Sequence, residues 1–550
     1  MIVFNKATTF GISVIFALLL WGCSEEEIDI TSVEIAPTST ATEEIAGNSD
    51  GAGVADEPEV KSLRIGVNRE LISPLSPDRL LLNKNFQLLI WSGLLRTENT
   101  GKLITQSAQV IPSYANEGIS ADGKTYTFLL RPNLKWNDGS RVTAELFLEL
   151  VLDTLTSGGE FLPSYATDLA TKIDVERSRH LDDRTFVIEL LEPAPEFMTF
   201  WSSRYTYPTQ TRFDDAQIII SGNGPYRLLE WTDDSVVFER DIEWQDYIGD
   251  IASHGIERIE FIPIDDFDEA FDDVVDGDLD AISVSGRQLN SLVLPADVIE
   301  SWNTGSSVHA VFINNSAEIF DHKSGRASLA MNISRKELLD QLHAAGIGLQ
   351  LKPSYSWIPK SVWGTSESRF LELESTSLLP ADSWFIAGGA DGSTIELLYS
   401  EEDPVQVALA PLLKIHWETT LPVDVVLRSE RTEEYYADMV AGAYEIALGE
   451  WSQEYLDTYS WLKLFQSSSP ENIFRFNDDE FDEYFASAVE ARSQMERNKI
   501  FISTSEKLAE EVGVIPLFID SQSVLLRLEY AALGETMLNN WDWKSFALND

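Results

Sequence analysis

Cysteine chemistry in this chain is confined to one residue, Cys23, which closes an apolar run near the N-terminus. The body beyond it has no thiol nucleophile and no material for a disulfide. The six histidines, His180, His254, His309, His322, His343 and His416, are scattered, and no two share a helical ligand spacing. They predict no metal site and no resident cofactor. With 91 Asp and Glu, some pair always has the separation that glycoside hydrolysis requires, so carboxylate pairs carry no information. No nucleophile elbow and no HExxH motif is present. Gly222-x-Gly224 introduces a strand rather than a helix N-terminus, which removes it as a phosphate loop. The chain is expected to be no enzyme.

Forty Lys and Arg against 91 acids leave a formal charge of −51. Such a surface repels phosphate backbones, so nucleic acid is excluded as a partner. Two readings of the acidity stand: solubility in salty surroundings, or preference for a cationic ligand. Hydrophobic residues make up 44% of the 550, with 15 Trp, so the bulk folds, and into at least two domains.

Lys6 precedes an apolar run from Thr9 to Leu20 that ends Leu20-Trp21-Gly22-Cys23. The pattern is that of a secretory signal, shorter than the roughly 20 residues needed to span a bilayer. Its end resembles a bacterial lipobox, with Cys23 the lipidated residue and residues 1–23 the lipoprotein signal peptide. The other reading is an uncleaved membrane anchor. Residues 24–60 are acidic and rich in Pro, Thr, Ser, Ala and Gly, a flexible tether reaching roughly 35 Å as a coil. Ser24 resembles an outer-membrane sorting signal, so inner membrane, outer membrane and cell surface stay open.

From Leu63 onward strands and amphipathic helices intermix, which argues for α/β domains. Leu63–Val67 and Tyr126–Arg131 alternate as strands, and Asn137-Asp138-Gly139-Ser140 gives a turn. Thr143 caps a helix carrying Leu146, Phe147, Leu150 and Val151 on one face. Further strands are predicted at Thr185–Leu190, Val236–Glu239, Ile259–Ile262, Ile395–Tyr399 and Val423–Leu427. Helices are predicted at Ala327–Leu342, Pro404–Glu418 and Asp479–Glu511.

Six fragments, in order, resemble the family 5 bacterial solute-binding proteins, which include oligopeptide- and dipeptide-binding components of ABC importers. They are Asp122–Arg131 with Lys135–Gly139 and Val142–Glu145; Gly222–Arg227 with Glu230-Trp231 and Phe238–Arg240; Gly277–Asp280; Phe312–Asn315 with Arg326-Ala327 and Arg335; Gly442–Ile446 with Trp451; and Val514–Phe518. The resemblance implies a periplasmic-binding-protein-like class II α/β fold of cluster C type, two lobes joined by crossover strands plus an extra α/β domain. Lobe I would comprise 62–97, 220–305 and 526–550; the extra domain 98–219; lobe II 306–525. The implied function is a lipid-anchored, monomeric receptor that captures a short peptide between its lobes and delivers it to a permease and ATPase complex. The same fold could instead hold a nickel complex, haem, opine, murein peptide or sugar, or sense a peptide without importing it.

The resemblance also implies a site. Oligopeptide-binding members place an acid three residues after a tryptophan to meet the ligand's ammonium, and Trp451-Ser452-Gln453-Glu454-Tyr455 keeps that spacing. Glu454 would be the amine anchor and Trp451 a cleft wall. Tyr165 resembles a tyrosine reaching the cleft from the extra domain, and Phe518 stands where a tyrosine is usual. Leu71–Leu75, with Ser73 and Leu75, lies where backbone would pair with an extended peptide. Glu450 replaces a glycine and puts a second acid near the amine site. Ser307 and Ser452 occupy the positions of a disulfide found in some members. Arg326 and Arg335 are expected to pair with acids on the lobe surface.

Overall fold

The computed structural model describes residues 61–69, 84–97, 102–157, 164–194, 196–214, 217–241, 244, 256–284, 292–348, 350–359, 362, 392–452 and 457–530. The chain divides into two compact units. Of the described residues, the first holds those of 61–63, 68–96 and 105–265, the second those of 64–67, 97–104 and 266–530.

The strands run in chain order from β1 (Ser62–Asn68), through β2 (Leu95–Thr97) and β3 (Leu103–Thr105), to β4 (Thr125–Leu129), β5 (Ile173–His180) and β6 (Thr185–Leu190). Within the first unit, β6 lies between β4 and β5. Phe128 of β4 and Phe186 of β6 are cross-strand partners that stack on each other and meet Trp201 and Phe147. Phe147 comes from the helix Ala144–Ser157, whose first turn Thr143 caps through the Leu146 amide at 3.2 Å. The buried face of that helix is Phe147, Leu148, Val151 and Leu155; Leu146 and Leu150 sit at its margin. The expected turn is present, with Gly139 at φ +82° and its amide on the Trp136 carbonyl.

After β7 (Gln210–Asp214) and β8 (Gln217–Ser221), the strands β9 (Tyr226–Trp231), β10 (Val236–Arg240) and β11 (Arg258–Ile264) form an antiparallel meander. Phe86 packs on its face against Trp231, Phe238 and Phe261. The two glycines before β9 are dictated by close approach: a Cβ on Gly222 or Gly224 would stand 2.4 or 2.6 Å from the Ile90 carbonyl oxygen.

The second unit is a mixed sheet in the order β16-β15-β17-β13-β18-β12, with the Arg64–Val67 part of β1 beside β12. Its strands are β12 (Ala281–Val284), β13 (Val298–Ile313), β14 (Leu351–Pro353), β15 (Thr394–Ser400), β16 (Asp424–Glu430), β17 (Ile446–Ser452) and β18 (Val514–Arg527). Apolar layers cover both faces of its central strands. One is built on Val311, Ile313, Leu448 and Ile515 with the helices Arg335–Ala344 and Pro404–Thr420. The other is built on Val308, Ala310, Phe312 and Ala447 with Trp357, Trp461, Phe474 and Phe481. Successive residues of a strand point to opposite faces, which is why even-numbered and odd-numbered residues of β13 sort into different layers.

All five strands expected from Thr185 onward are present. Two long helices are each broken in two. Ala327–Leu342 falls into Lys323–Met331 and Arg335–Ala344, and Asp479–Glu511 into Asp479–Glu490 and Gln494–Glu511. The cause is a serine N-cap that starts a new helix at each break. Ser334 accepts from the Glu337 amide and Ser493 from the Glu496 amide.

The recurring sequence fragments serve the fold. Asp280, 1% exposed, accepts from the Arg64 amide at 2.7 Å and from its guanidinium at 3.0 and 3.1 Å. The Asn314 amide holds the carbonyls of Gly442 and Tyr444, and that of Asn315 the carbonyls of Phe474 and Gly513. Arg326 and Arg335 correct the surface-pair expectation. Arg326 does pair with an acid, its guanidinium 3.7 Å from the Glu511 carboxylate, but it is buried rather than on the surface and also donates to the Glu511 and Phe320 carbonyls. Arg335 is buried too, donates to Ser354 and Pro516, and lies over the Tyr355 ring. A guanidinium serves several carbonyls at once, so it suits loop and strand ends that no ladder satisfies. Among the described residues no helix is long and apolar enough to cross a membrane.

Candidate functional site

Trp451 and Glu450 lie near the end of β17, and the geometry of that strand decides what surrounds them. β17 pairs antiparallel with β13, so Ser307 faces Ser452, Val308 faces Trp451 and His309 faces Glu450. Ser307 and Ser452 are thus direct partners, as their expected correspondence to a cystine requires. Trp451 is partly buried against the layer that holds Val308 and Ala310, and its indole nitrogen has no acceptor among the described residues. Glu450 points to the opposite face. The two adjacent candidates therefore present their side chains to opposite faces of the sheet, because consecutive strand residues alternate.

On the Glu450 face stands a group that the candidate list omits. His309, 6% exposed, has Nε2 3.3 Å from Asp520 Oδ1 and 4.0 Å from Glu450 Oε2. Burial disfavours the charged imidazolium, but the Asp520 hydrogen bond and the charges of Glu450, Asp520 and Asp403 outweigh it and raise its pKa above the ordinary histidine value. The same acids act on Tyr436, whose hydroxyl is shifted upward by burial and by Glu450 and Asp403.

The local shape comes from β18. Pro516 cannot donate to a ladder, so it belongs at an irregularity. The β13–β18 register shifts there: His309 pairs with Phe518 and Ala310 with Pro516, leaving Leu517 as the extra residue of a bulge. Leu517 and Phe518 consequently enter the same apolar layer, both with no exposed surface. The Phe518 ring packs between sheet and helices rather than standing free.

Tyr165 lies in the helix Ser164–Thr171; its ring is outside the described residues. Glu454, Ser73, Leu75 and Cys23, with the tether, also lie outside them. His309 and Asp520 were missed because each stands alone in sequence, with no ligand partner at helical spacing.

The fold and its strand register can be set beside known proteins. Residues 109–472 match the family model of bacterial extracellular solute-binding proteins, family 5. The chain belongs to this family. Among family 5 relatives, the dipeptide-binding protein DppE of Bacillus subtilis is 23% identical over 437 residues, 74% of this chain and 77% of its own. The periplasmic murein peptide-binding protein MppA of Escherichia coli is 24% identical over 443 residues, 75% and 80% of the two chains. The periplasmic oligopeptide-binding protein OppA of Haemophilus influenzae is 24% identical over 478 residues, 79% and 83%. Of solved structures, MppA in its unliganded open form superposes with a TM-score of 0.70 at 19% identity, over 89% of this chain and 98% of that one. Haemophilus influenzae OppA with the peptide RPPGFSPFR gives 0.53 at 18%, over 90% and 99%. The fold is the two-lobed class II fold of periplasmic binding proteins.

Proposed function

We propose that this family 5 protein is a lipid-anchored receptor that captures short peptides between two lobes and delivers them to an ABC permease and its ATPases. The observation that carries the reading is the breadth of likeness to dipeptide-, murein peptide- and oligopeptide-binding proteins, spanning 74 to 79% of this chain. The strand β17 supports it, holding Trp451 in a rigid ladder. Glu454 holds the ligand's ammonium, with Trp451, Tyr165 and the Ser73–Leu75 backbone as further contacts; Phe518, whose ring has no exposed surface, packs in the apolar layer and is not one of them. Cys23 carries the lipid, and the body works outside the cytoplasm, as a monomer.

A second reading keeps the fold and exchanges the peptide for an apolar organic anion. It is favoured by the probable deoxycholate-binding periplasmic protein YgiS of Escherichia coli, 23% identical over 486 residues and 82% of this chain. Native mass spectrometry of the full chain in mild detergent, with gentle release of what co-purifies, separates the two. Released peptides of mixed composition uphold the first reading. A single non-peptide mass overturns it in favour of the second.

A further inference from the structure

We propose that His309, Glu450 and Asp520 form a divalent transition-metal site, with Zn2+ as the ion that fits its donors best. The three residues sit on three paired strands: His309 on β13, Glu450 opposite it on β17, and Asp520 on β18. One donor atom from each lies within 4.8 Å of the others. Two donors bound at about 2.1 Å to a tetrahedral ion stand about 3.4 Å apart. The Nε2–Oδ1 separation of 3.3 Å already meets that spacing. The Glu450 oxygen, at 4.0 Å on a side chain 40% exposed, closes the remainder by a small rotation.

The chemistry of the set agrees. A neutral imidazole with two carboxylates balances a doubly charged ion, and three protein ligands leave one position for water or a ligand group. The imidazole distinguishes this site from carboxylate clusters that hold Ca2+ or Mg2+. The bulge at Leu517, which Pro516 imposes on β18, sets the register that pairs His309 with Phe518, two residues before Asp520. Asp403, whose charge also reaches His309, is committed to capping the helix Pro404–Thr420 through the Val405 and Gln406 amides. It adds negative field without being a ligand. Lys352, on the neighbouring β14, has its ammonium 3.9 Å from Glu300. An ion here would tie the irregular stretch of β13 to both neighbours, and its role does not depend on what the protein carries.

The test is calorimetric titration of the full chain with Zn2+ alone, after chelator treatment and in excess Mg2+ to occupy carboxylate-only sites. One saturable equivalent is expected, weakened at least about ten-fold in Asp520→Asn and in His309→Gln. Zn2+ should also move the His309 ring nitrogen resonance in the wild type, a readout that survives if His309→Gln fails to fold. No saturable binding, or an equivalent that persists in both folded variants, would overturn the assignment.

Discussion

At the scale of single residues, the sharpest expectation concerns Glu454. If it holds a buried ligand ammonium, Glu454→Ala should weaken peptide binding by about 2–5 kcal/mol, because the partner charge is left unpaired. Isothermal titration with a peptide taken from the native mass spectrum measures this, and unchanged affinity would remove Glu454 from the site. Tyr530 tests a different kind of claim. Burial, with the charges of Asp280 and Glu529, pushes its hydroxyl from 10.0 up to about 12, against the pull of Arg64 and Arg527. The unfolded chain therefore gives up that proton first, and this residue's contribution falls as pH rises from about 10 to 12. Tyr530→Phe should recover about 1–2 kcal/mol at the alkaline end, allowing for partial solvation. Parallel denaturant melts of the two proteins at about pH 8, below that window, and at about pH 11.5, near its upper end, check the sign.

At the scale of elements, the breaks in the two long helices are the instructive difference between expectation and structure. Apolar periodicity continues across Ile333 and across Ala491, so a reading by period alone runs through both. Ser334-x-x-Glu337 and Ser493-x-x-Glu496 were nevertheless legible as helix-start signatures. Ser493→Ala should cost about 1 kcal/mol in thermal or urea unfolding, whereas Ser493→Thr should cost less. The entry to β9 is less forgiving. A methyl on Gly224 would meet a backbone oxygen of Ile90 that cannot step aside without disturbing the helix Lys84–Ile90. Gly224→Ala should destabilise by about 1–3 kcal/mol, visible as a lower urea midpoint at unchanged slope. The candidate site was half legible at this scale. Once Ser307 is placed opposite Ser452, antiparallel pairing puts His309 opposite Glu450 without further information. Asp520 could not be found that way, since its approach depends on the Pro516 bulge.

At the scale of the whole molecule, a formal charge of −51 dominates. Raising salt from about 0.01 M to 0.15 M shortens the screening length from about 30 Å to about 8 Å and relieves like-charge repulsion. The melting temperature should rise over that range; a flat or falling response would mean that local ion pairs outweigh the net field. Composition, alternating patterns and the ordered fragments determined the α/β class, the family and seven of the described strands, because turn chemistry and apolar period act over short stretches of chain. Tertiary structure alone decided that Arg326 and Arg335 are buried and clamp backbone carbonyls, Arg326 beside the Glu511 carboxylate. It alone separated Trp451 from Glu450 onto opposite faces, and brought together His309, Glu450 and Asp520 from three distant segments. The physical reason is that sheet register and bulges convert sequence separations of 70 to 211 residues into contacts of a few ångströms, and no local pattern encodes that conversion.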